Sequence, residues 1–175
     1  GLGIAYDGEH VIGPADYAEA VISELKRCGL PVLLEPGRSV VGNAGALIAR
    51  VVDTKRHADG RQFAVLDVGM GELIRPALYG SYHRIVPLRR RSGVDTAWDV
   101  VGPICESSDV FGVDRSLPAP TVGMVVAVLD AGAYGSAMSS NYNRHALPAE
   151  VMVDGGAWRV VRRRQTVDEQ LVCEE

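Results

Sequence analysis

The chain has 175 residues, a length for one domain, or one domain and part of a second. Apolar residues make up 47% and charged residues 23%, which excludes a disordered chain and is enough for a sizeable core. Twenty-two acidic against 18 basic side chains leave a net charge of −4, which opposes a broad nucleic-acid footprint.

Pro14 to about Cys28 reads as a helix, with Pro14 suited to the first position and Gly29 to the stop. Tyr17, Val21 and Leu25, joined by Ala18 and Ile22, fall at helical spacing and predict one buried stripe. Pro31 to Leu34 is a short apolar run that fits a strand buried on both faces of a parallel sheet. It ends in Glu35-Pro36-Gly37-Arg38, where an α/β barrel places its site residues.

After residue 42 the character changes to short β-branched runs separated by glycine and proline. They are residues 47–52, 63–68, 85–88, 100–101, 124–128, 151–153 and 158–161. Such strands predict an antiparallel barrel or sandwich. Leu73 to Tyr79 and Gly135 to Ser140 predict short helices, and Asp154-Gly155 is the best hairpin signal. The expected fold is α+β and mostly β. Residues 1–42 end a (β/α)8 barrel and residues 43–175 form a β-barrel or sandwich domain.

Four stretches could carry chemistry. Glu35 and Arg38 stand three apart around a tight turn. This is either a surface turn or a cofactor site in which backbone N–H groups and Arg38 hold a phosphate. Arg75 and Tyr79, four apart after a glycine-rich turn, share a face if that segment is helical. Cys105-Glu106 precedes two serines, an odd setting for a core residue. An ordinary thiol is mostly protonated at neutral pH and can donate a proton. Small residues around Tyr134 let a ligand approach the backbone.

Other features point to no site. Cys28, Cys105 and Cys173 lack paired spacing, and the four histidines lack ligand spacing, so neither a disulfide framework nor a metal is expected. Arg89–Arg91 and Arg162–Arg164 read as solvated strand edges. No apolar run reaches the ~18 residues of a membrane span. No basic leader precedes Gly1-Leu2-Gly3, so a cytoplasmic protein is expected. The opening glycine pattern reads as the middle of a turn, hence a fragment of a longer chain.

Taken in order, GLG, EPGR, DVGMGELIRPALYGSYH, GPICESSD and AGAYGSAMSSNYN resemble the diaminopimelate decarboxylases. These are pyridoxal-phosphate enzymes of the alanine racemase and ornithine decarboxylase fold group. The resemblance implies an N-terminal (β/α)8 barrel, a C-terminal β domain and a head-to-tail homodimer with shared active sites. It implies decarboxylation of meso-2,6-diaminopimelate to L-lysine. Gly1, Glu35, Pro36, Gly37, Arg38 and Tyr134 match cofactor contacts. Arg38, Arg75, Tyr79, Glu106 and Tyr134 match substrate contacts, and Cys105 matches the proton donor given to the partner subunit. The cofactor-bearing lysine has no counterpart here, since Lys26 and Lys55 lie in charged, solvent-facing runs. These residues alone are therefore expected to be inactive. Competing expectations are a same-fold decarboxylase of ornithine, arginine or carboxynorspermidine, and a non-catalytic dimerisation module.

Overall fold

A computed structural model describes residues 2–174. Gly1, one of the expected cofactor contacts, lies outside them. Helix α1 spans Pro14–Arg27, with proline in its first turn as expected. Its apolar stripe is not buried. Tyr17, Val21 and Leu25 are only half-buried, and Ala18 and Ile22 are exposed, because nothing among the described residues packs on them. Residues 31–34 form no strand, and Leu33 is 93% exposed. A parallel strand needs hydrogen-bonding neighbours on its edges, and none of the described strands supplies one. The short helix α2, Gly37–Val41, follows directly.

From Leu47 the chain builds a six-stranded sheet. The strands are β1 (Leu47–Arg56), β2 (Gln62–Leu66), β3 (Ile85–Pro87), β4 (Asp95–Val101), β5 (Val110–Pro118) and β6 (Val125–Val128). Their order in space is β3-β6-β1-β2-β4-β5. All pairs are antiparallel except β2 with β4, where Ala64 sits opposite Val100 in a parallel register. The expectation of a purely antiparallel sheet fails there because the long excursion from residue 67 to 94 returns the chain in the same direction. The sheet curls until its edges approach, and Arg115 of β5 lies 3.8 Å from the Tyr82 ring, just before β3. The result is a nearly closed, barrel-like sheet.

Alternation puts Ala49 and Val51 of β1 inside and Ile48, Arg50 and Val52 outside. They meet Leu66, Val100, Phe111, Val126 and Val128 in one continuous core. Each such side chain contributes about 1.5–3 kcal/mol by leaving water. Arg89–Arg91 follow the edge strand β3 and are exposed, as the sequence predicts.

Helix α3 covers Arg75–Tyr79, shorter than the expected Leu73–Tyr79, and ends at Gly80 in the left-handed conformation. Residues 136–138 make only a single 3₁₀ turn. β7 (Glu150–Asp154) and β8 (Ala157–Arg162) form a separate hairpin. The expected hairpin is present with its turn one residue later: Asp154 pairs with Ala157 as the last strand residue, and the two turn residues are Gly155 and Gly156, with φ of 54° and 94°. A final helix, α4, spans Val167–Leu171.

Candidate active site

Arg75 opens α3, directly after the glycine turn that leaves β2. The Glu72 carboxylate fixes that turn by accepting from the Gly69 N–H at 2.8 Å, and Pro76 sets the first helical turn. Arg75 is thereby pushed inward and is only 5% exposed. One guanidinium nitrogen, Nη1, donates to the Tyr6 hydroxyl at 2.7 Å and to His83 Nε2 at 3.3 Å. The guanidinium carbon lies 5.0 Å from the Tyr6 ring centre and 5.7 Å from that of Tyr134. Among the described residues no carboxylate pairs with it. A buried cation without an anion is costly.

Arg38, in the first turn of α2, approaches the same Tyr134 ring at 5.4 Å. Two arginines therefore flank one tyrosine that remains 43% exposed. Tyr134 holds a φ of 62°, a left-handed conformation uncommon outside glycine. The loop that carries it is fastened to the segment after α2. Ala131 N–H donates to Gly45 at 2.8 Å, and Gly132 N–H donates to Gly42 at 3.0 Å.

A Cβ on Gly132 would stand 1.9 Å from the Val41 carbonyl oxygen, so only glycine fits. Gly132→Ala is expected to lower the thermal midpoint by about 5 °C, through overpacking of about 1–3 kcal/mol. Differential scanning fluorimetry checks this. An unchanged midpoint would mean that the 41–45 segment moves aside freely.

A second group of residues sits on the loop after β4. Asp109, buried, accepts from the Ile104 N–H at 2.9 Å and from the Met70 N–H at 2.6 Å. Burial pushes its carboxyl up, against the lowering effect of those two amides. Gly69 and Gly102 are glycines because a Cβ on either would strike the Asp109 carboxylate. The loop so pinned presents Cys105 and Glu106, both exposed. Glu106 accepts from the Ser108 hydroxyl at 3.1 Å and the Tyr142 hydroxyl at 3.4 Å. The Ser108 amide, then its hydroxyl, and the Tyr142 hydroxyl hold its carboxyl below the usual range. It is an anion at neutral pH.

The structure thus brings Arg38, Arg75 and Tyr134 together. Cys105 and Glu106 form a separate group. No hydrogen bond, ion pair or ring contact joins the two among the described residues. Tyr79 is exposed on α3, one turn from Arg75. Glu35 is exposed at the turn before α2, and Pro36 and Gly37 shape that turn, with the Gly37 N–H donating to the Glu35 carbonyl at 2.9 Å. Tyr6, His83, Asp109 and Tyr142 went unread in the sequence. His83 closes the RPALYGSYH stretch, but Gly80 ends the helix, so no periodicity links it to Arg75. A cleft of about 670 Å³ beside Arg50, Arg89 and Arg91 contains none of these residues. No helix among the described residues is long and apolar enough to cross a membrane.

Residues 5–132 match the model of the pyridoxal-dependent decarboxylase C-terminal sheet domain. The chain belongs to this decarboxylase family. Among curated members, the diaminopimelate decarboxylase of Vibrio cholerae is 45% identical over 166 residues, 94% of this chain and 39% of that protein. The crystal structure of the Helicobacter pylori diaminopimelate decarboxylase with L-lysine superimposes with a TM-score of 0.91. It is 36% identical and covers 99% of this chain and 43% of that one. A solved Aquifex aeolicus protein reaches a TM-score of 0.94 at 40% identity over 98% of this chain and 43% of its own. The chain spans about two fifths of the length of these pyridoxal-dependent decarboxylases and their relatives.

Proposed function

We propose that the chain is the C-terminal part of a diaminopimelate decarboxylase, which converts meso-2,6-diaminopimelate to L-lysine and CO2 as a homodimer with shared active sites. Residues 1–42 then belong to the end of its (β/α)8 barrel and residues 43–175 to its β domain. The observation that carries the reading is Arg75, buried beside Tyr134 and without an anion among the described residues. Diaminopimelate keeps an intact amino-acid end remote from the reaction, with one carboxylate and one ammonium. The carboxylate fits the Arg75 fork, and the ammonium fits an exposed carboxylate such as Glu106. Substrates with a bare remote amine, such as ornithine, have no use for a buried guanidinium.

The residues present also fit pyridoxal phosphate. The Arg38 guanidinium suits a phosphate, and the Tyr134 ring suits a flat heterocycle. Glu35 is an exposed carboxylate suited to a protonated ring nitrogen. When bound, the cofactor supplies an electron sink for the pair left as CO2 departs. Arg75 fixes the remote carboxylate and so orients the substrate. Tyr6 and His83 hold that guanidinium in place. Cys105 Sγ holds a proton and delivers it to the carbon that has lost CO2. Because Cys105 and Glu106 stand apart from the arginine group within one chain, they serve the site of a second copy.

Subunit complementation tests this in the full-length holoenzyme. Cys105→Ala and Arg75→Ala dimers are each expected to be nearly inactive. Co-refolding equal amounts leaves one intact site in half of the dimers, restoring about a quarter of wild-type activity if sites are shared across a symmetric pair. No recovery would mean that Cys105 and Arg75 of one and the same chain serve one site, and would overturn the shared-site reading.

A further inference from the structure

His83 is the most enclosed polar side chain among the described residues, with no accessible surface. Its two ring nitrogens have opposite jobs. Nδ1 lies 2.9 Å from the Leu129 carbonyl oxygen, which can only accept, so Nδ1 carries the hydrogen. Nε2 then has its lone pair free, and the Arg75 guanidinium donates to it at 3.3 Å. The Tyr6 ring packs edge-on against the imidazole, centres 5.2 Å apart, while the Tyr6 hydroxyl takes the other bond from the same Arg75 nitrogen. A guanidinium has five N–H donors. Here Nη1 is committed inward to two neutral acceptors, which leaves the rest of the fork for an incoming carboxylate.

We infer that His83 is a positioning residue, a neutral acceptor that sets the angle of Arg75 and so the selection of substrates with a remote carboxylate. This rests on the function proposed above and extends it to a residue that touches no ligand. Two neutral acceptors orient the cation without neutralising it. An aspartate or glutamate at either place would hold Arg75 equally well but would compete with the substrate for its charge.

The inference needs His83 neutral. The groups around it are Arg75 on α3, Arg115 on β5, Tyr6 on the N-terminal segment, and Asp130 beside Leu129. Burial, then the two arginines, push the imidazole below its ordinary value, against the Leu129 carbonyl and Asp130. Protonation would turn Nε2 into a donor facing a donor.

The test uses full-length holoenzyme and two near-isosteric variants. His83→Asn keeps a donor for the Leu129 carbonyl but removes the acceptor for Arg75. His83→Gln places an amide oxygen where Nε2 stands. Equilibrium binding is measured for L-lysine, which retains the carboxylate, and for 1,5-diaminopentane, which lacks it. The Asn variant is expected to bind L-lysine about 10-fold more weakly, the size of one hydrogen bond to a charged group, with 1,5-diaminopentane unchanged. KM for diaminopimelate should rise by a similar factor with kcat nearly constant, and the Gln variant should recover most of the loss. In the wild type that KM should also climb as pH falls below the ordinary histidine range, and in the Gln variant it should not. Equal weakening for both diamines, or a fall in kcat at constant KM, would overturn the inference. Unchanged L-lysine affinity in the Asn variant would do so as well. An enzyme without activity on diaminopimelate that still shows the L-lysine and 1,5-diaminopentane difference would sink the proposed function and spare this one.

Discussion

Cys105→Ala in the full-length enzyme is expected to lower kcat by about 10²–10⁴-fold, the range for loss of a positioned proton donor, with KM within a few-fold of wild type. The prediction follows from how the thiol is presented. Cys105 is exposed at the tip of a loop whose base is locked by Asp109, so it is accessible and yet fixed. Glu106 beside it is anchored by Ser108 and Tyr142, so truncating the thiol leaves the proposed ammonium contact intact. Substrate binding should therefore survive while proton delivery fails. Steady-state kinetics with CO2 and lysine measured in parallel check this. An alanine variant with wild-type turnover would remove Cys105 from the chemistry and favour a β domain that acts only as a dimerisation surface.

Arg75→Ala is expected to lower kcat/KM for diaminopimelate by about 10²–10³-fold, within the 2–5 kcal/mol typical of a truncated buried charge pair. Arg75→Lys should recover little. An ammonium cannot donate to Tyr6 and His83 and still offer a planar fork to a carboxylate. Stability should move the other way. Removing Arg75 leaves two acceptors short of a donor, but it also removes a buried charge with no carboxylate partner among the described residues. The melting temperature of the alanine variant is thus expected to hold or rise while activity collapses, the pattern of a site kept at a cost to the fold. A large fall in melting temperature with intact kinetics would make Arg75 a structural residue and break the clamp assignment.

Much of this was legible in the chain itself. The β-branched runs of β1 and β6, the Pro14 start of α1 and a hairpin at Asp154-Gly155 each follow from local chemistry, and each is present, the hairpin turn falling one residue later at Gly155-Gly156. The fifth strand was not legible. Gly112 interrupts Val110–Pro118, and Asp114 has a φ of 51° at a bulge, where its N–H donates to the Asp99 carboxylate. No periodic signal survives such an interruption. The first half of β4 was equally hidden, since Asp95 to Ala97 face solvent and carry no apolar pattern. The stripe on α1 is present as a pattern but is not buried, because burial depends on a neighbour and periodicity does not. In the site, the motifs named Arg38, Arg75, Cys105, Glu106 and Tyr134. Of the residues that aim them, Tyr6 and Asp109 act across 69 and 39 positions of sequence, and His83, though only eight from Arg75, is itself held by Leu129, 46 positions on.

The carboxylate of Asp109 grips the amide of Met70, which leads into the Arg75 turn, and the amide of Ile104, which leads into the Cys105 turn. In a head-to-tail pair, those two turns would face different catalytic centres. A single buried oxygen pair would then be the rivet between them, and strain raised by a ligand at one centre would reach the other through two hydrogen bonds rather than through the breadth of the sheet.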